Sequence, residues 1–276
     1  MKQRIMMTIA GSDSSAGAGI QADIKSAFAA GVYCATAITA VTSQNTRSVR
    51  AVEAIPPHAV ASQIYAVLED MNVTASKCGM LPNRAIVEQV AGAAEQGRLS
   101  NLVVDPVMIA SSGDQLMEDD AIETLIGSLL PHALLVTPNI PEAIRMTGVD
   151  IRSQADFDRA AEVFRSFGCR ALLLKAGHLE GETLTDMLYD FTASKVYGFS
   201  FGRIDTVNTH GTGCSLSASI TARLSQGASL YDAVAGAEEF LHLAIRSGKE
   251  MVWGEGHGPI DHFVTFQERC GGDRIG

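Results

Sequence analysis

Four short segments carry the residue types that phosphate chemistry needs. Asn208-Thr-His-Gly-Thr-Gly-Cys214 stands directly before an apolar helical stripe at Leu216, Ile220 and Leu224. Its glycines expose backbone N–H groups at a helix N-terminus, where unpaired donors and the helix dipole attract an anion. A tight loop entering a helix has the same composition, so the motif alone leaves both roles open. Lys175 ends the apolar run from Ala171 to Leu174 and offers a lone cation, or a side chain that snorkels from a strand end. Asp105 follows Leu102, Val103 and Val104 and precedes Pro106, which sets an ionised group at another strand end. Asn139-Ile-Pro-Glu142 follows the run from Ala133 to Thr137. An amide and a carboxylate there suit Mg²⁺ held through water, or a helix cap by Asn139 with a solvated Glu142.

The elements that must position these groups alternate along the chain. The runs Ile5 to Ala10, Leu102 to Asp105, Ala133 to Thr137 and Ala171 to Lys175 are apolar enough for strands buried on both faces. Between them, Val60, Ile64, Val67, Leu68 and Met71 share one helical face, as do Phe157, Ala160, Ala161 and Phe164 after the Ser153 to Asp156 capping pattern. Gly168 and Gly227 sit where helices end. Ala233, Val234, Ala237, Phe240, Leu241 and Ile245 form a last core stripe. Strand and helix in alternation predict an α/β fold: a mostly parallel central sheet flanked by helices on both faces, with its ligand site at the carboxyl ends of the strands. Thr185 to Phe191 and Lys195 to Phe201 read as adjacent strands at an antiparallel edge. The expected organisation is one domain over residues 1–263 and a polar tail over 264–276. In the first loop, Gly11 to Gly19, a full GxGxxG is absent, and GxxxxGK[ST] occurs nowhere in the chain.

Composition narrows the partners. The 276 residues are 46% hydrophobic and 19% charged, ample for a core, and the net charge of −10 repels polyanions. Nucleic acid and membrane are therefore not expected as partners; no apolar run reaches spanning length. Five scattered cysteines without a CxxC pair fit a reducing, cytoplasmic setting better than a disulfide framework or a zinc knuckle.

Taken in order, the motifs resemble the bacterial hydroxymethylpyrimidine and phosphomethylpyrimidine kinases of thiamin synthesis, within the ribokinase-like superfamily. The resemblance runs over nearly the whole chain. It rests on TIAGSDSSAGAGIQAD (Thr8 to Asp23), TAVTSQNT (Thr39 to Thr46), KCGML (Lys77 to Leu81) and DPVM (Asp105 to Met108). TPNIPEA (Thr137 to Ala143), KAGH (Lys175 to His178), NTHGTGC (Asn208 to Cys214) and GHGPIDHF (Gly256 to Phe263) complete it. The resemblance implies a ribokinase-like sheet, a homodimer, ATP with Mg²⁺, and two steps. A hydroxymethylated aminopyrimidine is first phosphorylated, and its monophosphate is then extended to the diphosphate. By position it makes Gly211, Thr212 and Gly213 the anion hole, sets Lys175, Asn139 and Thr209 at the ATP phosphates, and puts Asp105 and Glu142 at the metal. It assigns Gly11, Asp23, Gln44, Met80 and Val107 to the pyrimidine. Gln44 is the most informative, because an amide accepts from an exocyclic amino group while donating to the adjacent ring nitrogen, as glutamine does to adenine.

Cys214 stands where many ribokinase-like sugar kinases carry a basic aspartate. A thiol at a helix N-terminus is either a base of lowered pKa or a small pocket wall, and both readings stand. Ala16 and Ala176 replace the family's usual glycines and Cys78 its usual isoleucine; alanine disfavours positive φ. Competing readings are a pyridoxal or pyridoxine kinase of the same fold, a vitamin-binding protein without transfer activity, and a ribose-type sugar kinase.

Overall fold

Aliphatic and β-branched runs extend into strands wherever both faces are to be covered, and nine do so here. The computed structural model describes residues 4–109, 113, 115–177 and 181–265. Its strands are β1 (Ile5–Asp13), β2 (Tyr33–Gln44), β3 (Val49–Ala54), β4 (Ala75–Cys78), β5 (Val103–Val104), β6 (Leu135–Val136), β7 (Ala171–Leu174), β8 (Thr183–Asp190) and β9 (Lys195–Gly202). They form one sheet in the order β3-β2-β1-β4-β5-β6-β7-β8-β9. The six central strands pair in parallel, whereas β3 at one edge and β8 with β9 at the other pair antiparallel. The expected edge pair is present; the second antiparallel edge, β3, was not expected, and neither were β2 and β4. Their segments mix threonine, alanine, lysine and cysteine, so no apolar run marks them.

The helices are α1 (Gly19–Ala29), α2 (Pro57–Asp70), α3 (Arg84–Glu95), α4 (Asp119–Thr124), α5 (Ile140–Thr147), α6 (Phe157–Ser166), α7 (Thr212–Ser225) and α8 (Leu230–Gly248). Strand alternation divides them between the two faces. Val104, Val136, Leu172 and Leu174 pack with Ile64, Val90, Ile140 and Phe164 of α2, α3, α5 and α6. Val103, Leu135, Ala171 and Leu173 pack with Leu216, Ile220, Val234 and Phe240 of α7 and α8. Met6 adds Ala27 of α1 and Ala218 and Ala222 of α7 on that second face.

Local signals end the helices as the sequence implies. Ser153 and Asp156 form a capping box ahead of α6, and Gly168 and Gly227 adopt the positive φ that closes α6 and α7. Among the described residues no helix is long and apolar enough to cross a membrane. His178 and residues 266–276 of the expected tail lie outside the described residues.

Candidate active site

Parallel strands deliver their carboxyl ends to one rim, and a cavity of about 600 Å³ opens there. Gly11, Asp13, Gln44, Met80, Asp105, Val107, Asn139, Glu142, Lys175, Thr209 and the segment from His210 to Cys214 all line it. The glycine motif and the lone lysine thus share one chamber, the condition that the expected phosphate site requires.

The tip of α7 is built by close backbone approach. Gly211 has φ +80°, and a Cβ on it would stand 1.9 Å from the Gly17 carbonyl oxygen, so no other residue fits. A Cβ on Gly213 would lie 3.3 Å from Lys175 Nζ and 3.7 Å from Asp105 Oδ2, so the helix tip rests directly on that ion pair. Lys175 Nζ donates to Asp105 Oδ1 at 3.1 Å. Asp105 also accepts from Thr137 Oγ1 at 3.1 Å and Ser217 Oγ at 3.1 Å. Burial works against charge on both partners, but Lys175 with Lys77 holds the Asp105 carboxyl below its ordinary value, and Asp105 with Glu142 holds the Lys175 ammonium above its own. A cation therefore faces the cavity beside the first turn of α7.

Asn139 caps α5. Its Oδ1 accepts the Glu142 N–H at 2.9 Å, and Glu142 Oε2 accepts the Asn139 N–H at 2.8 Å. The capping alternative is thus realised, with one difference: Glu142 is buried, and burial pushes its carboxyl up to about 7. Besides the capping bond, the Glu142 carboxylate accepts a backbone N–H from Met108. Two buried carboxylates at one rim form an all-oxygen donor set that fits Mg²⁺, which is held by one or two carboxylates with waters and substrate phosphates.

Asp23 stands apart from the other candidates, because it does not line the cavity. Its Oδ1 accepts from Lys77 Nζ at 2.6 Å and its Oδ2 from Thr8 Oγ1 at 2.5 Å, and both Asp23 and Lys77 are fully buried. In this structure Asp23 is the buried counter-ion of Lys77. Gln44 does reach the wall from the end of β2. Its amide accepts from Thr42 Oγ1 at 3.3 Å, and its Nε2 is 3.4 Å from His210 Nε2. A Cβ on Gly11 would stand 3.0 Å from Met80 Sδ, so this glycine lets the methionine close over the β1 end.

Cys214 is buried in the first turn of α7, where Gly19 N–H donates to its sulfur. Burial pushes the thiol up to about 11, with Asp23 and Asp105 adding to it and Lys77 opposing. The lowering expected at a helix tip is overcome, because withdrawing a thiolate from water costs more than the tip and Lys77 return. Ala16 adopts φ +62°, the left-handed conformation that alanine disfavours.

Three parts of the site escaped sequence reasoning. Asp13 accepts from His210 Nε2 at 2.8 Å, from Gly17 N–H at 3.0 Å and from Ala18 N–H at 2.8 Å. Despite burial, the bonds from His210, Ser15 and Ala18 hold its carboxyl down to about 2. Both residues sit inside motifs singled out for other reasons, and nothing in a linear reading pairs them across 197 positions. Lys77 carries no local signal beyond its motif. Leu184, Phe201, Leu216, Leu241 and Ile245 make the far end of the cavity apolar, with His242 stacked on Phe201 at a ring distance of 3.7 Å; apolar residues of this kind look like core in a sequence.

The chain is similar to known proteins throughout its length. The sequence profile of the phosphomethylpyrimidine kinase family matches residues 13–261. A hydroxymethylpyrimidine/phosphomethylpyrimidine kinase of Rhizobium meliloti is 47% identical, covering 94% of this chain and 97% of its own. The crystal structure of a phosphomethylpyrimidine kinase from Clostridium difficile superposes with a TM-score of 0.77 at 40% identity, over 88% of this chain and 100% of its own. A Staphylococcus aureus pyridoxal kinase in complex with AMP-PCP and pyridoxal gives 0.86 at 31% identity, over 96% and 95%. With an α/β sheet of matching architecture and a glycine-tipped helix resting on a lysine, the chain belongs to the phosphomethylpyrimidine kinase family, a branch of the ribokinase-like kinases.

Proposed function

We propose that this chain transfers the γ-phosphoryl group of ATP to the hydroxymethyl oxygen of 4-amino-5-hydroxymethyl-2-methylpyrimidine, and in a second turnover to the resulting monophosphate. The observation that carries the reading is the contact of the α7 tip with the Lys175–Asp105 pair inside one cavity that is polar at one end and apolar at the other. Adenine takes the apolar end, the triphosphate spans the middle, and the pyrimidine sits against Gly11, Gln44, Met80 and Val107. In the transfer the alcohol oxygen forms a bond to the γ-phosphorus, the bond from that phosphorus to the β,γ-bridging oxygen breaks, ADP leaves, and the alcohol proton is released. Charge on the moving phosphoryl group is met by the N–H groups of Gly211, Thr212 and Gly213 and by the Lys175 ammonium, because phosphoryl transfer depends chiefly on positioning and electrostatics. Asn139 and Thr209 border the ATP phosphates. Asp105 and Glu142 would hold Mg²⁺, which would supply further neutralisation of phosphate charge.

Cys214 is the group we assign to the alcohol proton. Its thiol is neutral at rest, so as a base it makes turnover rise with pH toward about 11; as a pocket wall it leaves the profile flat in that range. A side-by-side ATP phosphorylation assay on the pyrimidine alcohol, its monophosphate and pyridoxal tests the whole assignment. The second reading, pyridoxal phosphorylation, is favoured by the high similarity to a pyridoxal kinase, and exclusive turnover of pyridoxal would replace our choice. Exposed Phe28 and Tyr33, at 66% and 61%, support the homodimer reading, which light scattering checks. Cys34, Cys78, Cys169 and Cys214 are free thiols, in keeping with a cytoplasmic setting.

A further inference from the structure

Two acidic side chains meet on the cavity wall near Lys175, Asp186 from β8 and Glu238 from α8. Glu238 is 1% exposed, and no N–H or O–H group of the described residues reaches either of its carboxyl oxygens. The two carboxyls line the same wall and act on each other's charge. Ionised carboxylates only accept, so a hydrogen bond between them requires a proton on one. Asp186 Oδ1 already accepts the Ala176 N–H at 2.7 Å. That bond favours charge on Asp186 and leaves the proton to Glu238.

We propose that Glu238 acts as a neutral acid donating to Asp186, and that the pair is a positioning device for the turn at residues 175–177, aligning the Lys175 ammonium with the nucleotide phosphates. The inference rests on the reading of Lys175 as a phosphate-binding group. Its logic is electrostatic as well as geometric. Two bare carboxylates on the wall of a triphosphate pocket repel each other and the ligand, whereas one shared proton halves that charge and locks Asp186 onto Ala176.

The groups facing the pair are Lys175 from β7, Arg203 just after β9 and His242 on α8 itself. Burial pushes the His242 imidazole down to about 4, with Arg246 adding to it, so this histidine is neutral where the pair operates. Burial, reinforced by Asp186, likewise raises the Glu238 carboxyl well above its ordinary value while Lys175 opposes. The sign for stability follows from linkage. The folded protein keeps a proton that the unfolded chain releases, so stability declines as pH rises from the ordinary glutamate range toward the raised value.

The test uses the full chain. Infrared difference spectra of wild type against Glu238→Gln near neutral pH are expected to contain one protonated-carboxyl band that the variant lacks. Glu238→Ala, which removes the donor, is expected to raise the KM for ATP by about fivefold, the worth of one hydrogen bond, with a smaller change in kcat. Glu238→Gln keeps a donor and is expected to recover most of that loss. It is also expected to remove the fall in melting temperature with pH. Absence of the acid band, or a glutamine variant as impaired as the alanine one, overturns the proposal. A wild type inactive on every candidate alcohol would instead sink the kinase reading while leaving the infrared result to judge the proton.

Discussion

Two lysine–aspartate pairs lie close together in this protein and do different work. Lys77 meets Asp23 at 2.6 Å with both side chains 0% exposed. Lys175 meets Asp105 at 3.1 Å with 13% of the lysine side chain still open to the cavity. In the first pair the two charges, with the Thr8 hydroxyl on Asp23, satisfy each other away from solvent. In the second, the aspartate is held by Thr137 and Ser217 as well, which leaves the ammonium free to turn toward an arriving anion. Residue type and burial are nearly the same in both, and the small exposed fraction separates a sealed pair from one that opens onto the cavity. The inner pair also serves the outer one, because Lys77 helps to keep Asp105 ionised and its field opposes the rise of the Cys214 thiol.

The contrast can be broken by mutation. Lys77→Met strands a buried carboxylate and is expected to cost about 3–5 kcal/mol in denaturant unfolding. The double variant Lys77→Met, Asp23→Leu should recover much of that stability; failure to recover would mean that Lys77 acts on more than its partner. Lys175→Met is expected to lower kcat/KM by about 10²–10³-fold, the usual worth of one donor to developing charge. It should cost less stability than Lys77→Met, since Asp105 keeps two hydroxyl donors; an equal loss would erase the distinction between the pairs. Cys214→Ala is expected to reduce kcat by about 10²-fold with little change in KM, and near-normal turnover would make the thiol a pocket wall. Smallest is Ala16→Gly. Relief of the left-handed alanine, about 1–2 kcal/mol, is partly offset by about 0.4–1 kcal/mol of added unfolded-state entropy. A slightly raised melting temperature is the expected outcome.

Much of this molecule can be read from its chain because local rules and the fold agree. Apolar runs ending in Asp105, Thr137 and Lys175 became strands that stop at the cavity, and the glycines before Cys214 became a helix tip. What stays hidden shares a cause. Asp23 falls in a motif associated with the ligand, but a motif carries no depth, and one turn along α1 decides whether a carboxylate meets substrate or Lys77. β4 is four residues of mixed type with a lysine in the middle, which no hydrophobic pattern flags. The helix-tip position of Cys214 points to a lowered pKa, and the desolvation that outweighs it depends on packing from α1 that only the folded chain reveals.

The interlock between Gly211 and Gly17, together with the bond between Asp13 and His210, ties the beginning of the polypeptide to a point about two hundred residues later. During synthesis the early strands emerge long before their partner loop, so a nascent chain halted ahead of α7 holds half of a pocket and no phosphate cradle.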